Sequence, residues 1–573
     1  MKLLIILPVL FVILNTAQLQ ANDEAILAGQ RAEPVTGKTA MVVTSHQLAT
    51  EIALEILKEG GNAIDAAIAA GFVLAVTQPR SGNIGGGGFM LYSPSYSDAV
   101  TAIDYRETAP SKAHEKMFLD DMGNGDQTLS RFSHLSAGVP GTVAGFALAL
   151  EKFGTMSLAE VLQPAINLAK NGFVVPNRFV EGIAARKQVF DKWPSSKAKF
   201  FKQDGSSYQA GEIFKQPDLA KTLQLIADKG AEGFYTGETA RLIESEMQKH
   251  GGLISYEDLA NYQAVIRQPV HGTYRGFDVY SMSPPSSGGV HIVQILNLLE
   301  QYPITEYGHN SAQTIHLMAE AMRRAYADRA SYLGDSDFIK VPLKGLISKS
   351  YSQAIVKNIK LNRATPSVEI KAGNPQHYES PETTHFSIVD QFGNAVSNTY
   401  TLNFSYGSGI VVTGAGFLLN NEMDDFSAKP GATNAYGLMG GEANKIEPNK
   451  RMLSSMSPTI VKQAGKNFLI TGSPVGSRII STTLQVIMNV IDHKMNIQTA
   501  VNSPRIHHQW WPDEIRIEQG ISPDTIKLLT NRGHKMVQKS AMGGSQSILV
   551  DQENRRLYGA ADPRQSTSKA TGF

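Results

Sequence analysis

The sequence predicts an α+β fold in which layered sheets are faced by helices. Two observations carry the prediction. Beyond residue 383, short runs rich in β-branched and aromatic residues recur in pairs: 383–390 with 395–402, 459–462 with 467–472, and 547–550 with 557–560. Amphipathic helical patterns fall between them, at 477–492 and 523–532. Strand pairs separated by helices must bury one face of each sheet against another layer. The segment 409–419 reads as a further strand.

Upstream of residue 383 the texture is helical. Residues 46–59 are amphipathic, and 63–78 are almost wholly apolar. The second carries Asp65, which favours a buried core helix over a membrane span. Four consecutive glycines follow, at 85–88. They match neither the dinucleotide nor the P-loop spacing, so close backbone packing beside a site is the better reading than an anion cradle. Residues 110–270 read as mostly helical, with breaks at Pro164, Pro176 and Pro217. The segment 283–289 is a turn-rich loop opening into a helix, and 311–333 is strongly amphipathic. Residues 358–382 are polar and without a period, which reads as an exposed segment. Residues 428–451 form a long Gly- and Pro-rich stretch, read as a functional loop or else a disordered one.

Composition narrows the function classes. The 573 residues are 42% hydrophobic and 18% charged, which excludes a disordered or fibrous chain. Lys and Arg number 53 against 52 Asp and Glu, so no basic footprint points to nucleic acid. The chain has no cysteine, which removes disulfides, thiolate nucleophiles and Cys-ligated zinc. Fourteen histidines are present but no H-E-x-x-H motif, and no metal site is expected. The adjacent His507 and His508 point apart on any regular element, which favours hydrogen bonding over metal ligation. Residues 1–21 have the pattern of a secretory signal: Lys2, an apolar core over 3–14, and Ala17 or Ala21 before the cut. An uncleaved anchor is the alternative. The expected location is a bacterial periplasm, with no membrane span in the mature protein.

The strand at 383–390 opens on a threonine pair, within Pro-Glu-Thr-Thr-His at 381–385. Threonine is at home in strands, so the pair alone means little. A backbone cut before Thr383 would change that. The residue would then carry both a hydroxyl and a free α-amine, one of the few bases able to activate a hydroxyl. An α-amine titrates near neutrality, at about 7.7–8.0.

Several polar clusters accompany the pair. They are Asp104-Tyr-Arg106-Glu-Thr-Ala-Pro110, Thr401-Leu-Asn403, Asn420-Asn-Glu-Met-Asp-Asp425, Ser454-Ser455 and Gly472-Ser-Pro-Val-Gly-Ser-Arg478. With the glycine run, the Pro-Ser-Ser-Gly-Gly loop at 285–289, the 418–427 run and Ser-Ser-Met-Ser-Pro-Thr at 454–459, they closely resemble γ-glutamyltransferase, an N-terminal-nucleophile hydrolase. The likeness runs through nearly the whole chain after 21.

The resemblance implies a four-layer αββα sandwich and a precursor that cuts itself between Glu382 and Thr383. The products would be a large subunit, 22–382, and a small catalytic subunit, 383–573, held together as a heterodimer. By the same resemblance Thr383 is the nucleophile, the Thr401 hydroxyl supports it, and the backbone amides of Val475 and Gly476 receive the oxyanion. Arg106, Ser454 and Ser455 would take the α-carboxylate of a γ-glutamyl group, and Asn403, Glu422 and Asp425 its α-ammonium. Tyr436 would gate a lid. No cofactor is implied. The partners would be glutathione or another γ-glutamyl donor, and water, an amino acid or a dipeptide as acceptor.

Two positions depart from the common pattern. Val475 stands where Gly is usual, and Glu382 where Gln or Asn is frequent. A valine resists positive φ and adds bulk beside the acyl pocket. Alternatives on the same scaffold are a glutaryl- or cephalosporin-type acylase and a poly-γ-glutamate depolymerase. A different class, an unprocessed binding protein, is raised by Glu382 and Val475.

Overall fold

A computed structural model describes residues 32–375, 385–429, 431, 434 and 437–573. Residues from Pro34 onward form one compact unit. Its centre is two seven-stranded sheets, every neighbouring pair antiparallel.

The first sheet runs, in spatial order, Lys569–Gly572, Met41–Thr44, Phe386–Val389, Ala395–Thr401, Gly87–Ser93, Thr101–Tyr105 and Val265–Arg267. The second runs Val35–Gly37, Arg556–Ala561, Gln546–Asp551, Lys466–Thr471, Thr459–Gln463, Phe277–Ser281 and Val270–Tyr274.

Strand alternation sorts the side chains between layers. Met41, Phe89, Leu91, Ala102, Ala395, Ile460, Ile470 and Ile548 enter one core that lies between the sheets. Their strand neighbours Val42, Met90, Tyr92, Ile103 and Val396 face a second core, shared with the helices Gln47–Lys58, Ala63–Thr77 and Thr142–Phe153. Val461 and Leu469 face a third, under the helices Ser287–Leu299, Ala312–Tyr332 and Arg478–Ile491. The period of two therefore builds helix, sheet, sheet and helix, a four-layer αββα sandwich.

Most expected elements appear within a residue or two. Ala63–Thr77 is buried along its whole length, and Asp65 is spent on the helix start, where its side chain and that of Asn62 form a reciprocal cap. Pro176 and Pro217 sit at helix beginnings, but Pro164 does not break a helix: it lies inside Leu158–Asn171.

Two expectations are corrected. The segment 409–419 is not a strand. Gly409, Gly414 and Gly416 take φ of 76°, 78° and 74°, which turns the chain and leaves one isolated bridge, Val411 to Leu418. Half of the sandwich also comes from before residue 383, where helices dominated the reading. The strands Gly87–Ser93, Thr101–Tyr105 and Phe277–Ser281 are short and lie among glycines and turns, so they leave a weak periodic signal.

Candidate active site

The glycine run is where the two halves of the chain meet. Gly87 pairs with Thr401 in the ladder. A Cβ on Gly86 would stand 1.9 Å from the Thr401 carbonyl oxygen, and one on Gly88 would stand 2.4 Å from Tyr400 Cβ. Only glycine permits that approach. Asn83, just upstream, donates from Nδ2 to Thr401 O at 2.8 Å and accepts at Oδ1 from Gly86 N and Thr142 Oγ1. The end of the strand Ala395–Thr401 is thereby fixed from below.

Thr401 is buried, and its hydroxyl accepts from Asn403 N at 2.7 Å. Asn403 takes φ 72° and donates from Nδ2 to Asn421 O. Asparagine tolerates this left-handed backbone better than most residues. His385 opens the neighbouring strand. Its ring is fully buried, in reach of Thr399 Oγ1, Ser387 Oγ and Gln546 O. Burial drives its imidazole pKa down to about 3, so it is neutral at physiological pH. Gly472 makes room for it, because a Cβ there would lie 2.5 Å from Nδ1.

Beside these strands sits a buried ion cluster. Arg106 Nη1 donates to Glu422 Oε2 at 2.7 Å, and Nη2 to Asp425 Oδ2 at 2.8 Å. Arg106 is wholly buried, so the exposed ion pair that a lone arginine would suggest does not apply. The acids lie on the single 3-10 turn Glu422–Asp425. Asn420 pins that turn: it donates to Gly85 O and Gly138 O, and accepts from Gly138 N and Glu422 N. Glu107 approaches Arg106 at 3.4 Å. Burial raises its carboxyl pKa to about 7, against the pull of the guanidinium. One guanidinium thus faces two carboxylates at hydrogen-bond distance and a third, Glu107, whose carboxyl burial pushes towards the protonated form.

Ser454 and Ser455 follow Met452, whose carbonyl accepts from Arg106 Nε at 3.4 Å. Both serines are fully buried, and among the described residues neither hydroxyl has a hydrogen-bond partner. Two adjacent buried hydroxyls are suited to donate to an anionic or carbonyl group.

Val475 and Gly476 lie directly before the helix Arg478–Ile491, with φ of 90° and 53°. Valine there carries real backbone strain. Among the described residues neither amide N–H has a partner. Both sit at the N-terminal, positive end of a 14-residue helix dipole. Such amides suit a developing oxyanion.

These residues border two cavities. One, of about 390 Å³, is lined by Thr401, Asn403, Val475 and Gly476 together with Arg80, Arg178, Arg478 and Arg564. The other, of about 590 Å³, is lined by Asp424, Asp425, Ser427, Gly431, Asn434 and Leu438. Around it Gly431 N donates to Gly440 O, Asn434 N to Leu438 O, and Ser427 pairs with Lys445.

The structure therefore brings together Arg106, Glu422 and Asp425, and sets Thr401, Asn403, Val475 and Gly476 around one cavity. Glu382, Thr383 and Tyr436 lie outside the described residues. Sequence reasoning assigned no role to Asn83, Glu107, His385 or Asn420. Glu107, His385 and Asn420 stood inside recognised motifs without a role of their own; Asn83, just before the glycine run, has no pattern that separates it from an ordinary structural residue. His507 and His508 do point apart, to Gln509 and Asp513. None of the site residues belongs to a group of metal-ligand type.

Comparison with known proteins agrees with this geometry. The glutathione hydrolase proenzyme of Escherichia coli strain K12 is 54% identical over 541 residues, 94% of this chain and 93% of its own length. A cephalosporin acylase from Bacillus halodurans superposes with a TM-score of 0.85 at 28% identity, over 95% of this chain and 97% of that one. A Helicobacter pylori γ-glutamyltranspeptidase chain gives a TM-score of 0.57 at 50% identity, over 58% of this chain but 94% of that one. The family described as gamma-glutamyltranspeptidase matches residues 49–572. The chain belongs to the γ-glutamyltranspeptidase family of N-terminal-nucleophile hydrolases.

Proposed function

We propose that this protein is a γ-glutamyl hydrolase and transpeptidase, made as a precursor that cuts itself before Thr383, acting on glutathione and related γ-glutamyl compounds. The observation that carries the reading is the pairing of Arg106, Glu422 and Asp425 beside the buried hydroxyls of Ser454 and Ser455. A γ-glutamyl group ends in an α-carboxylate and an α-ammonium. Arg106, Ser454 and Ser455 donate to the first; Glu422 and Asp425, with Asn403, accept from the second.

In processing, Thr383 Oγ attacks the Glu382 carbonyl carbon. The C–N bond breaks, the nitrogen takes the hydroxyl proton, and water hydrolyses the resulting ester. This leaves a Glu382 carboxylate and a free Thr383 amine. In turnover, Thr383 Oγ gives its proton to that amine and bonds to the γ-carbonyl carbon. The carbonyl electrons rest on oxygen, opposite the Val475 and Gly476 amides. Their return expels the substrate amine, which carries the proton away. Water, an amino acid or a dipeptide then takes the acyl group by the reverse steps.

Topology supports the assignment. The strand that follows Thr383 in sequence, Phe386–Val389, pairs with Ala395–Thr401, with Phe386 facing Asn398 and Ser387 facing Ser397. Both sheets contain strands from before and after the cut, hydrogen-bonded side by side, so fragments 22–382 and 383–573 would stay joined as a heterodimer. The H. pylori chain, which matches just 58% of this one, is consistent with a separate large subunit. The apolar pattern at 1–21 supports export to the periplasm, and no described helix is long and apolar enough to cross a membrane.

N-terminal sequencing of the smaller fragment tests the proposal, with Thr-Thr-His-Phe expected. Thr383→Ala should remain one uncut, inactive chain; normal processing in it would move the nucleophile elsewhere. The acylase reading, suggested by the B. halodurans neighbour, fits less well. A glutaryl group lacks the ammonium that Glu422 and Asp425 would bind.

A further inference from the structure

A second constellation lies away from the catalytic cluster. His134 stands on the 3-10 turn His134–Ser136, and Glu246 and His250 stand one turn apart on the helix Gly237–His250. His134 Nε2 is 3.1 Å from Glu246 Oε1, and His250 Nε2 is 3.6 Å from the same oxygen. The three ligand atoms lie within 4.8 Å of one another. A zinc ion with arms of about 2.0–2.1 Å at tetrahedral angles holds its donors roughly 3.4 Å apart. The two histidine–glutamate separations bracket that value; the imidazoles themselves stack at 4.7 Å between centroids and 18° between planes, so the exposed His250 ring turns to bring its lone pair to the ion.

We propose that His134, Glu246 and His250 form a binding site for a divalent transition ion of the zinc type, with an open fourth position. The donor set of two imidazoles and one carboxylate suits such an ion. His250 keeps about 30% of its side chain exposed and gives the ion a way in, while His134 and Glu246 are buried. Glu246 is already oriented as a ligand. Its Oε2 accepts from Thr413 N and Thr413 Oγ1, leaving Oε1 for the metal. Its carboxyl pKa is about 2: burial raises it, but the bonds from His134 and Thr413 outweigh that, so it is ionised. Among the described residues no Lys or Arg pairs with it.

The other His/Glu group, His316, Glu320 and His534, lacks these properties. Glu320 is occupied by Arg323, Arg324 and Thr365, and all three members are buried. Two guanidinium groups repel a cation.

An ion on His134 Nε2 requires the proton on Nδ1, which is buried and, among the described residues, has no hydrogen-bond partner. A metal-bound histidine without an outer hydrogen bond loses about 10–100-fold in affinity. The role of the site is structural: the ion joins the His134 turn to a helix that Thr413 ties to the loop 411–418.

Trp193 provides the readout. Its ring meets His134 edge-on at 4.8 Å and His250 at 5.6 Å between centroids. Chelator-treated, tag-free protein should take up one equivalent of Zn²⁺ in calorimetry, and Ni²⁺ should quench part of the tryptophan fluorescence. His250→Ala, near the helix end, should keep the fold by circular dichroism and weaken Zn²⁺ binding at least about tenfold. His316→Gln should leave binding unchanged. Trp193→Phe should keep the stoichiometry and lose the Ni²⁺ quench. No uptake, unaltered uptake in His250→Ala, or a quench that survives Trp193→Phe each overturns the assignment.

Discussion

Replacing Asp425 by Asn keeps shape and removes one charge from the buried cluster. Arg106 is not orphaned by the change. The amide oxygen can still accept from Nη2, now 2.8 Å from the carboxylate, and Glu422 remains at 2.7 Å. What is lost is a charged acceptor for the substrate ammonium. A hydrogen bond to a charged group contributes about 1.5–3 kcal/mol. At about 1.4 kcal/mol per factor of ten, kcat/KM for a γ-glutamyl anilide should fall about 10- to 150-fold. A glutaryl anilide has no ammonium, and its kcat/KM should change by less than about threefold. The ratio of the two substrates isolates the contact from any general disturbance. Equal losses on both would refute the ammonium assignment and show that Asp425 acts through Arg106 alone. Urea midpoints, measured alongside, should reveal a stability loss below the roughly 3–5 kcal/mol expected when a buried ion pair is broken outright.

Other expectations follow from single contacts. Gly86→Ala must displace the Thr401 carbonyl, since the new Cβ would stand 1.9 Å from it. A loss of about 1–3 kcal/mol in urea unfolding and a reduced kcat are expected; an unchanged protein would mean that the backbone yields freely there. Glu107 has its folded pKa raised from 4.5 to about 7, so its contribution is complete below pH 4.5 and is lost as pH rises towards 7. That is roughly 3 kcal/mol across the window. Glu107→Gln, neutral throughout, should therefore show a flatter stability profile between pH 4.5 and 7, and a parallel profile would exclude this group. Val475→Gly should relieve about 1–3 kcal/mol of strain at φ 90° against a backbone-entropy cost of about 0.5–1 kcal/mol. The unfolding midpoint should hold or rise, and a clear drop would show that valine packing fixes the loop.

The sequence by itself determined the local features whose causes are local. The helix Ala312–Tyr332 begins at Ser311 because the serine hydroxyl caps it, and that start is visible in the residue order; the expected exposed face is absent, since its charged residues Glu320, Arg323, Arg324 and Asp328 are buried. The hairpin Phe386–Val389 with Ala395–Thr401 is marked by its β-branched runs and the Asn and Gly between them. The clusters around Arg106, Glu422 and Ser454 could be recognised as motifs before their distances were known.

Only the tertiary structure decided how those clusters meet. Arg106 and Asp425 are 319 positions apart and 2.8 Å away from each other in space. No periodicity records a long-range pairing, because chain order fixes neighbours along the strand but not across layers. The same holds for Asn83, Asn420 and Glu107, ordinary residues made consequential by burial. The four glycines had a reading in sequence, close packing, but their partner was unknown. The fold supplied it: the Leu418, Thr401 and Tyr105 carbonyls and Tyr400 Cβ, each too near for a side chain to stand between.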